Sequence, residues 1–401
     1  MSKSILPCNL LVTGGAGVGK TYQLKRIQGI LSKHGEKWIS CAPTATASQL
    51  IDGMTIHRAF ALRQDTASRQ LYSNCDNLDH LKNIDVIFID EFSMITSEIL
   101  DLISNALCEI MESNQAFGGK RIVLSGDIMQ LRPVNGSYFF NANSFQLDNF
   151  QVWYLHKVFR QDEPSFSSFL NITREGIIDL DFLTKLQNNK LDSEREYTKL
   201  IYFNELVRLE NNKCLKNIQG PEFKFYAKDI LGSKHALKEL KSTMKPPLEL
   251  ILKKDCKIMF TENNLDFGYA NGNLGLVKDI VDNTSEQYLL VLNLQNNKLI
   301  KVYQHQISNY DEFDPAYISQ FPLMLGYAMT MHKAQGSSLD NVYIDFDSVK
   351  SYHRHLVYTA LSRVKTMDGL FMKNFHSSMI SVDHEALVFD KLLKSRNAFN
   401  P

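Results

Sequence analysis

The 401-residue chain has no net charge: 44 lysines and arginines balance 44 aspartates and glutamates. That removes any bulk electrostatic pull toward nucleic acid, so a DNA or RNA contact has to come from a local groove. Paired cysteines are lacking too. Cys8, Cys41, Cys75, Cys108, Cys214 and Cys256 lie far apart, and none belongs to a C-x-x-C pair. This excludes a zinc ribbon and a disulfide framework and leaves reduced thiols of a cytosol-like compartment. No uninterrupted apolar run is long enough to cross a bilayer. The apolar stretch from Ile5 to Val12 feeds straight into a glycine loop with no cleavage-site pattern, so it is expected to be a strand and not a signal peptide. Internal repeats and low-complexity segments are absent. With hydrophobic content of 44% and charged content of 22%, the composition is that of a folded protein, long enough for two or three domains of roughly 100–200 residues.

What the chain does have is Gly14-Gly15-Ala16-Gly17-Val18-Gly19-Lys20-Thr21, which fits G-x-x-x-x-G-K-[ST]. Asn9 to Thr13 reads as a buried strand before it. Tyr22 to Leu31 reads as a helix after it, with Leu24, Ile27 and Leu31 at helical spacing and His34-Gly35 as C-cap. Such a unit binds anions, because free backbone N–H groups and the helix dipole converge on one point. In this pattern Gly15, Ala16, Gly17, Val18, Gly19 and Lys20 line a polyphosphate. Lys20 reaches the β- and γ-phosphates and Thr21 holds Mg²⁺.

The first third alternates strands and helices, which implies a parallel sheet covered by helices. Lys37 to Ala42, Asp85 to Ile89 and Arg121 to Leu124 are the next expected strands, and Met94 to Met111 an amphipathic helix. Ligand chemistry gathers at the carboxyl ends of such strands, where Asp90-Glu91 and Asp127 stand. Alone, Asp90-Glu91 would be a solvated strand-end pair. Downstream of a P-loop it reads as the pair in which Asp90 holds Mg²⁺ and Glu91 orients or deprotonates the attacking water. Gln130, just past a strand end, would alone read as a surface loop residue; only the pattern around it, GDIMQLRPV, makes its amide a sensor for the γ-phosphate. The polar segment Gln64 to Lys82 reads as a small insertion, and Gln151 to Tyr154 as the lead into a second domain. From about Gly268 to Ser319 short alternating runs, with Gln295-Asn296-Asn297 as a turn, suggest a small β-barrel. Helix and strand alternation then resumes, with a helix expected near His355 to Val364.

In order, the blocks GGAGVGKT, APTATAS, TIHRAF, IDEFSM, AFGGKRIVLSGDIMQLRPV, VFRQDEPSF, MHKAQGSSLD and YTALSRV run through most of the chain. Together they resemble the PIF-like helicases of superfamily one, in the 5′-to-3′ branch related to RecD and Dda. Ala116 to Asp127, with Phe117-Gly118-Gly119, resembles the PIF signature segment. The resemblance implies an α/β fold of two RecA-like P-loop NTPase domains with parallel sheets, and an SH3-like β-barrel inserted in the second. The expected bounds are 1–150 for the first domain, 151–267 with 320–401 for the second, and 268–319 for the barrel. It implies ATP and Mg²⁺ as cofactors, with Arg160 and Arg363 directed at the phosphates and Gly336 in a turn near the nucleotide. Either arginine by itself would be read as a surface ion pair worth under about 1 kcal/mol.

By the same resemblance, Pro43, Thr44, Ala45, Thr55, His57, His332 and Lys333 lie along single-stranded DNA, where small residues and hydroxyls position phosphates without reading sequence. Phe60 is expected to offer a stacking face to a base, with a place in the core as the alternative. The expected activity is an ATP-dependent 5′-to-3′ helicase on single-stranded and forked or 5′-tailed duplex DNA. An ssDNA translocase, or a nucleotide-gated DNA-binding subunit, is the alternative. A monomer is expected, cytoplasmic or nuclear according to host, without membrane contact and with accessory replication or repair proteins as partners. The family reads adenine with a glutamine ahead of the P-loop, and Met1 to Thr13 contains none. Several nucleoside triphosphates are accepted, or adenine is read elsewhere, or the chain begins late. Arg132 also stands where relatives have proline.

Overall fold

The computed structural model describes residue 6 and residues 8–64, 71–73, 78–133, 136–161, 163–188, 197–244, 246–262, 264, 267–269, 272–283, 286–308, 315–334, 339–346 and 354–399. The chain divides into two compact units, residues 1–195 with 331–401 and residues 196–330.

The first unit opens with β1 (Asn9–Gly14), α1 (Lys20–Lys33), β2 (Trp38–Ala42), α2 (Ala45–Leu50), β3 (Met54–Thr55) and α3 (Ile56–Ala59). It continues through β4 (Leu62–Gln64), β5 (Leu71–Ser73), β6 (Val86–Ile89), α4 (Ser97–Ile110), β7 (Arg121–Gly126), β8 (Phe150–Leu155), α5 (Pro164–Arg174) and α6 (Leu180–Asn188). Six strands form one parallel sheet in the order β3-β2-β6-β7-β1-β8. β1 and β6 are apolar almost throughout, as strands covered on both faces must be. Leu24, Ile27 and Leu31 of α1 pack on Leu10, Val12, Val86, Phe88 and Val123 beneath it.

Three details differ from the sequence expectation. Gln151 to Tyr154 does not leave the first sheet: the strand containing it pairs with β1 in parallel register, Leu10 opposite Gln151 and Thr13 opposite Tyr154. α4 begins at Ser97 because the Thr96 hydroxyl accepts from Ile99 N at 3.2 Å and caps it there. The antiparallel pair β4–β5 begins at Leu62, ahead of the insertion expected at Gln64 to Lys82, and a short 3₁₀ turn at Asp79–Asn83 runs one residue past its end; residues 65–70 and 74–77 lie outside the described ones.

The second unit comprises β9 (Thr198–Ile201), α7 (Asn204–Asn217), β10 (Phe223–Tyr226), β11 (Lys228–Leu231), α8 (Lys234–Thr243), β12 (Glu249–Leu252), β13 (Lys257–Phe260), β14 (Leu274–Asp282), β15 (Gln287–Asn293), β16 (Lys298–Val302), β17 (His305–Ser308), β18 (Tyr317–Gln320), β19 (Leu323–Leu325) and β20 (Ala328–Thr330). Its largest sheet is antiparallel, in the order β16-β15-β14-β13-β19, with β11-β18-β17 as a second. Both reach beyond residues 268–319, because β13, β19 and β11 supply pairing partners. The expected polar turn at Gln295-Asn296-Asn297 joins β15 to β16, with Asn297 in the left-handed region. Ile258, Phe260, Val277, Leu289, Val291, Ile300 and Phe321 fill the core. β9 and β20 pair in parallel.

The first unit then resumes with α9 (Met331–Ala334), β21 (Val342–Asp345), α10 (Leu356–Leu361), β22 (Leu370–Lys373) and α11 (His384–Ser395). β21 and β22 are parallel neighbours. No described helix is long and apolar enough to cross a membrane.

Candidate nucleotide and nucleic-acid site

β1 ends at Gly14, and the chain turns through the glycine loop into α1, whose N-cap Gly19 takes the left-handed conformation. Gly17 also has positive φ, and a Cβ there would lie 2.6 Å from Cβ of Arg160 and 2.9 Å from Oε1 of Gln161. Only glycine lets the segment after β8 come so close. That segment is tied down as well, since Phe159 N donates to Gly17 O at 2.8 Å. Lys20 Nζ donates to the loop's own carbonyls, Gly14 O at 2.9 Å and Gly15 O at 2.8 Å. Burial lowers the Lys20 pKa in spite of the nearby Asp127, Glu91 and Asp90 charges. Ala16 and Val18 are buried, and Gly15, Gly17, Gly19 and Thr21 complete the loop and the first turn of α1.

Asp90 follows β6 and is buried, its N–H donating to Cys41 O at 2.9 Å. Burial, and then the adjacent Glu91 charge, pushes its carboxyl up to about 7, while the Ser125 hydroxyl and Lys20 pull the other way. Glu91 sits at φ +53°, in the left-handed region that side-chain-bearing residues avoid. Two neighbouring carboxylates at a buried strand end, within electrostatic reach of the P-loop lysine, form an oxygen-donor set with surplus negative charge. Such a set fits a hard divalent cation that takes its remaining ligands from phosphates and water.

Gln130, Arg160 and Arg363 converge. Gln130 is buried, and its Oε1 accepts a long hydrogen bond from Arg363 Nη2 at 3.5 Å. Arg363 is also buried, held by Thr359 O at 3.0 Å and Ser362 Oγ at 2.7 Å. Arg160 Nη1 donates to Ser362 O at 3.1 Å, which brings the two guanidinium groups to one place. Burial, and then the charge of Arg363, lowers Arg160 to about 10, and burial lowers Arg363. Among the described residues none of Lys20, Arg160 and Arg363 is in an ion pair.

Sequence reasoning passed over a buried network beside this site. Arg174 Nε and Nη2 donate to Asp127 Oδ1 at 3.0 and 2.7 Å, and its Nη1 and Nη2 to the Asp390 carboxylate at 2.8 and 2.6 Å. Tyr154 also donates to Asp390, at 3.0 Å. Tyr358 donates to Asp127 Oδ2 at 2.8 Å and accepts from Ala16 N of the P-loop at 2.8 Å. A signal was present: Arg174 falls on the apolar stripe Phe166–Leu170 of α5, and Asp390 on the buried stripe of α11 after Ala386. A charge at a core position of an amphipathic helix announces a buried partner.

Of the expected DNA contacts, Pro43 and Thr44 are half-buried between β2 and α2, and the Thr44 hydroxyl accepts from Ala47 N. Thr55 caps α3 by accepting from Arg58 N, and His57 is exposed on that helix. Phe60 corrects the expectation. It closes α3 with its ring fully buried, so no face is open to a base. The backbone of Ala45, His332 and Lys333 is described, in α2 and α9, but their side chains lie outside the described residues, as does Gly336 entirely.

The PIF1-like helicase family model matches residues 3–196, and the UvrD-like helicase C-terminal domain model matches residues 325–366. The ATP-dependent DNA helicase Pif1 of Campylobacter jejuni is 26% identical over 429 positions, covering 96% of this chain and 94% of that protein. The solved structure of Bacteroides Pif1 bound to ssDNA is 30% identical with a TM-score of 0.71, covering 98% of this chain and 95% of its own. That of Bacteroides sp Pif1 in complex with ADP-AlF4 is 29% identical with a TM-score of 0.78, over 97% and 94%. With P-loop, acidic strand end and paired arginines in one unit, and likeness over the whole length, this chain belongs to the PIF1-like family of ATP-dependent DNA helicases.

Proposed function

We propose that the chain holds ATP with Mg²⁺ at Gly15–Thr21 and couples its hydrolysis to 5′-to-3′ movement along single-stranded DNA, separating forked or 5′-tailed duplexes. One observation carries this reading: Lys20 sits in the P-loop, Arg160 packs beside Gly17 and meets Arg363 at Ser362, and none of the three is in an ion pair among the described residues. Desolvated positive charge of this kind is relieved by a polyphosphate, and a guanidinium on the transferring phosphoryl group is worth about 10³–10⁵ in rate. Thr21 and Asp90 would hold Mg²⁺, which supplies further charge neutralisation on the phosphates. Glu91 orients and deprotonates the attacking water, and Gln130 reports the γ-phosphate to Arg363.

The domain reading that goes with this is two RecA-like domains with a barrel at 268–319. The second is built from 151–267 and 320–401, less the strand to Leu155 that pairs in the first sheet, and nucleotide-driven opening and closing moves the DNA. Pro43, Thr44, Ala45, Thr55, His57, His332 and Lys333 remain the proposed DNA path, now without Phe60. The ssDNA named with Bacteroides Pif1 is in keeping with it. Lys20→Ala is expected to abolish DNA-stimulated ATP hydrolysis, and stimulated turnover retained by that variant would refute the assignment. Unwinding is expected for duplexes with 5′ tails alone, and equal activity on 3′ tails would refute the polarity.

A further inference from the structure

We propose that Tyr358 is a positioning residue for ATP hydrolysis, its hydroxyl locking the P-loop to the segment that carries Gln130. The inference rests on the hydrolytic reading above. Tyr358 projects from α10, a helix of only six residues, and the arginine at Arg363 follows directly after its C-cap Ser362. The phenol accepts from Ala16 N at 2.8 Å and donates to Asp127 Oδ2 at 2.8 Å. All three groups are shut off from water. Asp127 in turn sets the turn that leads to Gln130. Its carbonyl accepts from Gln130 N at 3.0 Å, and its Oδ1 accepts from Met129 N at 3.1 Å.

At the other end of the same short helix Arg363 reaches Gln130 Oε1 at 3.5 Å. One element therefore touches the P-loop through Tyr358 and the γ-phosphate sensor through Arg363. The Tyr358 hydroxyl is the joint that keeps these two contacts in register. Arg174 braces the joint from behind by holding the second oxygen of Asp127. Neither Tyr358 nor Asp127 has to touch the nucleotide for this.

Below the loop, Thr13 Oγ1 donates to Gly126 O at 3.1 Å and joins the two strand ends; among the described residues, only Tyr358 hydrogen-bonds both the loop amide of Ala16 and the Asp127 carboxylate. Lys20 engages Gly14 and Gly15, and Phe159 N engages Gly17. With phenylalanine at 358 the ring still fills its place, but Ala16 N–H and Asp127 Oδ2 both lose their partner. Lys20 and the loop from Gly17 onward, which do not bond to Tyr358, keep their own contacts for gripping a diphosphate. The cost therefore falls on the step that needs Gln130 and Arg363 aligned, and it appears in kcat before it appears in nucleotide affinity. A hydrogen bond to a charged group is worth about 1.5–3 kcal/mol, which is roughly ten- to a hundredfold in rate.

The test uses the full chain with single-stranded DNA, comparing wild type, Tyr358→Phe, Asp127→Asn and the double variant. Steady-state ATP hydrolysis is measured beside equilibrium binding of a fluorescent ADP. Tyr358→Phe is expected to lower kcat at least tenfold with ADP affinity within threefold. The double variant is expected to be no slower than the slower single. A kcat within twofold of wild type overturns the proposal. So does a parallel loss of ADP affinity and rate, which marks a merely structural role, and so do losses that multiply in the double variant. If the wild-type chain itself shows no DNA-stimulated hydrolysis, the reading of the function has failed instead.

Discussion

Arg174 and Asp390 meet through two side-by-side hydrogen bonds, Nη1 to Oδ2 at 2.8 Å and Nη2 to Oδ1 at 2.6 Å, with both side chains sealed from solvent. The same guanidinium also serves Asp127, so one cation sits between two buried carboxylates. Removing the cation leaves the Tyr358 hydroxyl as the one side chain hydrogen-bonded to Asp127 among the described residues, while Asp390 keeps Tyr154 and Lys394, whose Nζ lies 3.3 Å from Oδ2. Arg174→Met is expected to cost about 3–5 kcal/mol in denaturant unfolding, whereas Asp390→Asn, which leaves the Asp127 pair intact, is expected to cost about 1–2 kcal/mol. The reverse order would show that the network is not charge-balanced in this way.

Acid sensitivity follows from the same cage. Burial alone would raise the Asp127 pKa, but the charges of Arg174 and Lys20 overcome it and hold the carboxyl below its ordinary range. A depressed folded-state pKa stabilises the protein above the unfolded value of about 3.9, and that stability is lost as pH falls through the folded value. Arg174→Met removes the main source of the depression and is expected to move the acid-unfolding midpoint to higher pH. An unchanged midpoint in circular dichroism would contradict it.

Asp90 has the opposite sign. Its carboxyl is raised to about 7 by burial and by Glu91, so the folded state holds the proton more tightly than the unfolded chain. Stability from this group is complete below pH about 4 and declines as pH rises toward 7. A divalent cation competes with that proton. The thermal shift produced by ADP with Mg²⁺ is expected to be larger at pH 8 than at pH 6, and Asp90→Asn is expected to abolish that part of the pH dependence. A pH response identical in the variant would place the cation elsewhere.

Phe60 separates core from DNA path. Phe60→Leu nearly conserves apolar volume in a fully buried place and is expected to cost about 1 kcal/mol of stability. Affinity of the folded variant for single-stranded DNA is expected to stay within twofold of wild type. A tenfold loss in a fluorescence-anisotropy titration, without loss of fold, would return the ring to the DNA.

The parts of the site legible in the sequence are those whose chemistry is local. Phosphate binding needs consecutive amides, so Gly14 to Thr21 declare it in eight residues, and Asp90 is marked by the apolar β6 before it. Arg160 and Arg363 were legible only through resemblance, since a lone arginine carries no mark of what it faces. Arg174 and Asp390 are 216 positions apart, and their roles exist only as a pair. Phe60 stands in a block whose neighbours Thr55 and His57 are partly or fully exposed, and only three-dimensional packing turns its ring inward. Gln151 to Tyr154 reads as the lead into a second domain for a similar reason: the partner of its strand, β1, begins 141 positions before Phe150, and spacing alone does not name it.

The first unit is discontinuous: residues 196–330 form the other compact unit and stand in sequence between its two segments. The glycine loop, the acidic pair and Gln130 lie in the first of its two segments, whereas Tyr358, Arg363 and Asp390 lie in the second. The contact of Ala16 with Tyr358 spans 342 positions. Contacts of such sequence separation form late and slowly. An interrupted chain that ended within the intervening unit would still carry the glycine loop, the acidic pair and Gln130, but neither Tyr358 nor Arg363. The site proposed for hydrolysis is thus one that neither segment of the first unit completes without the other.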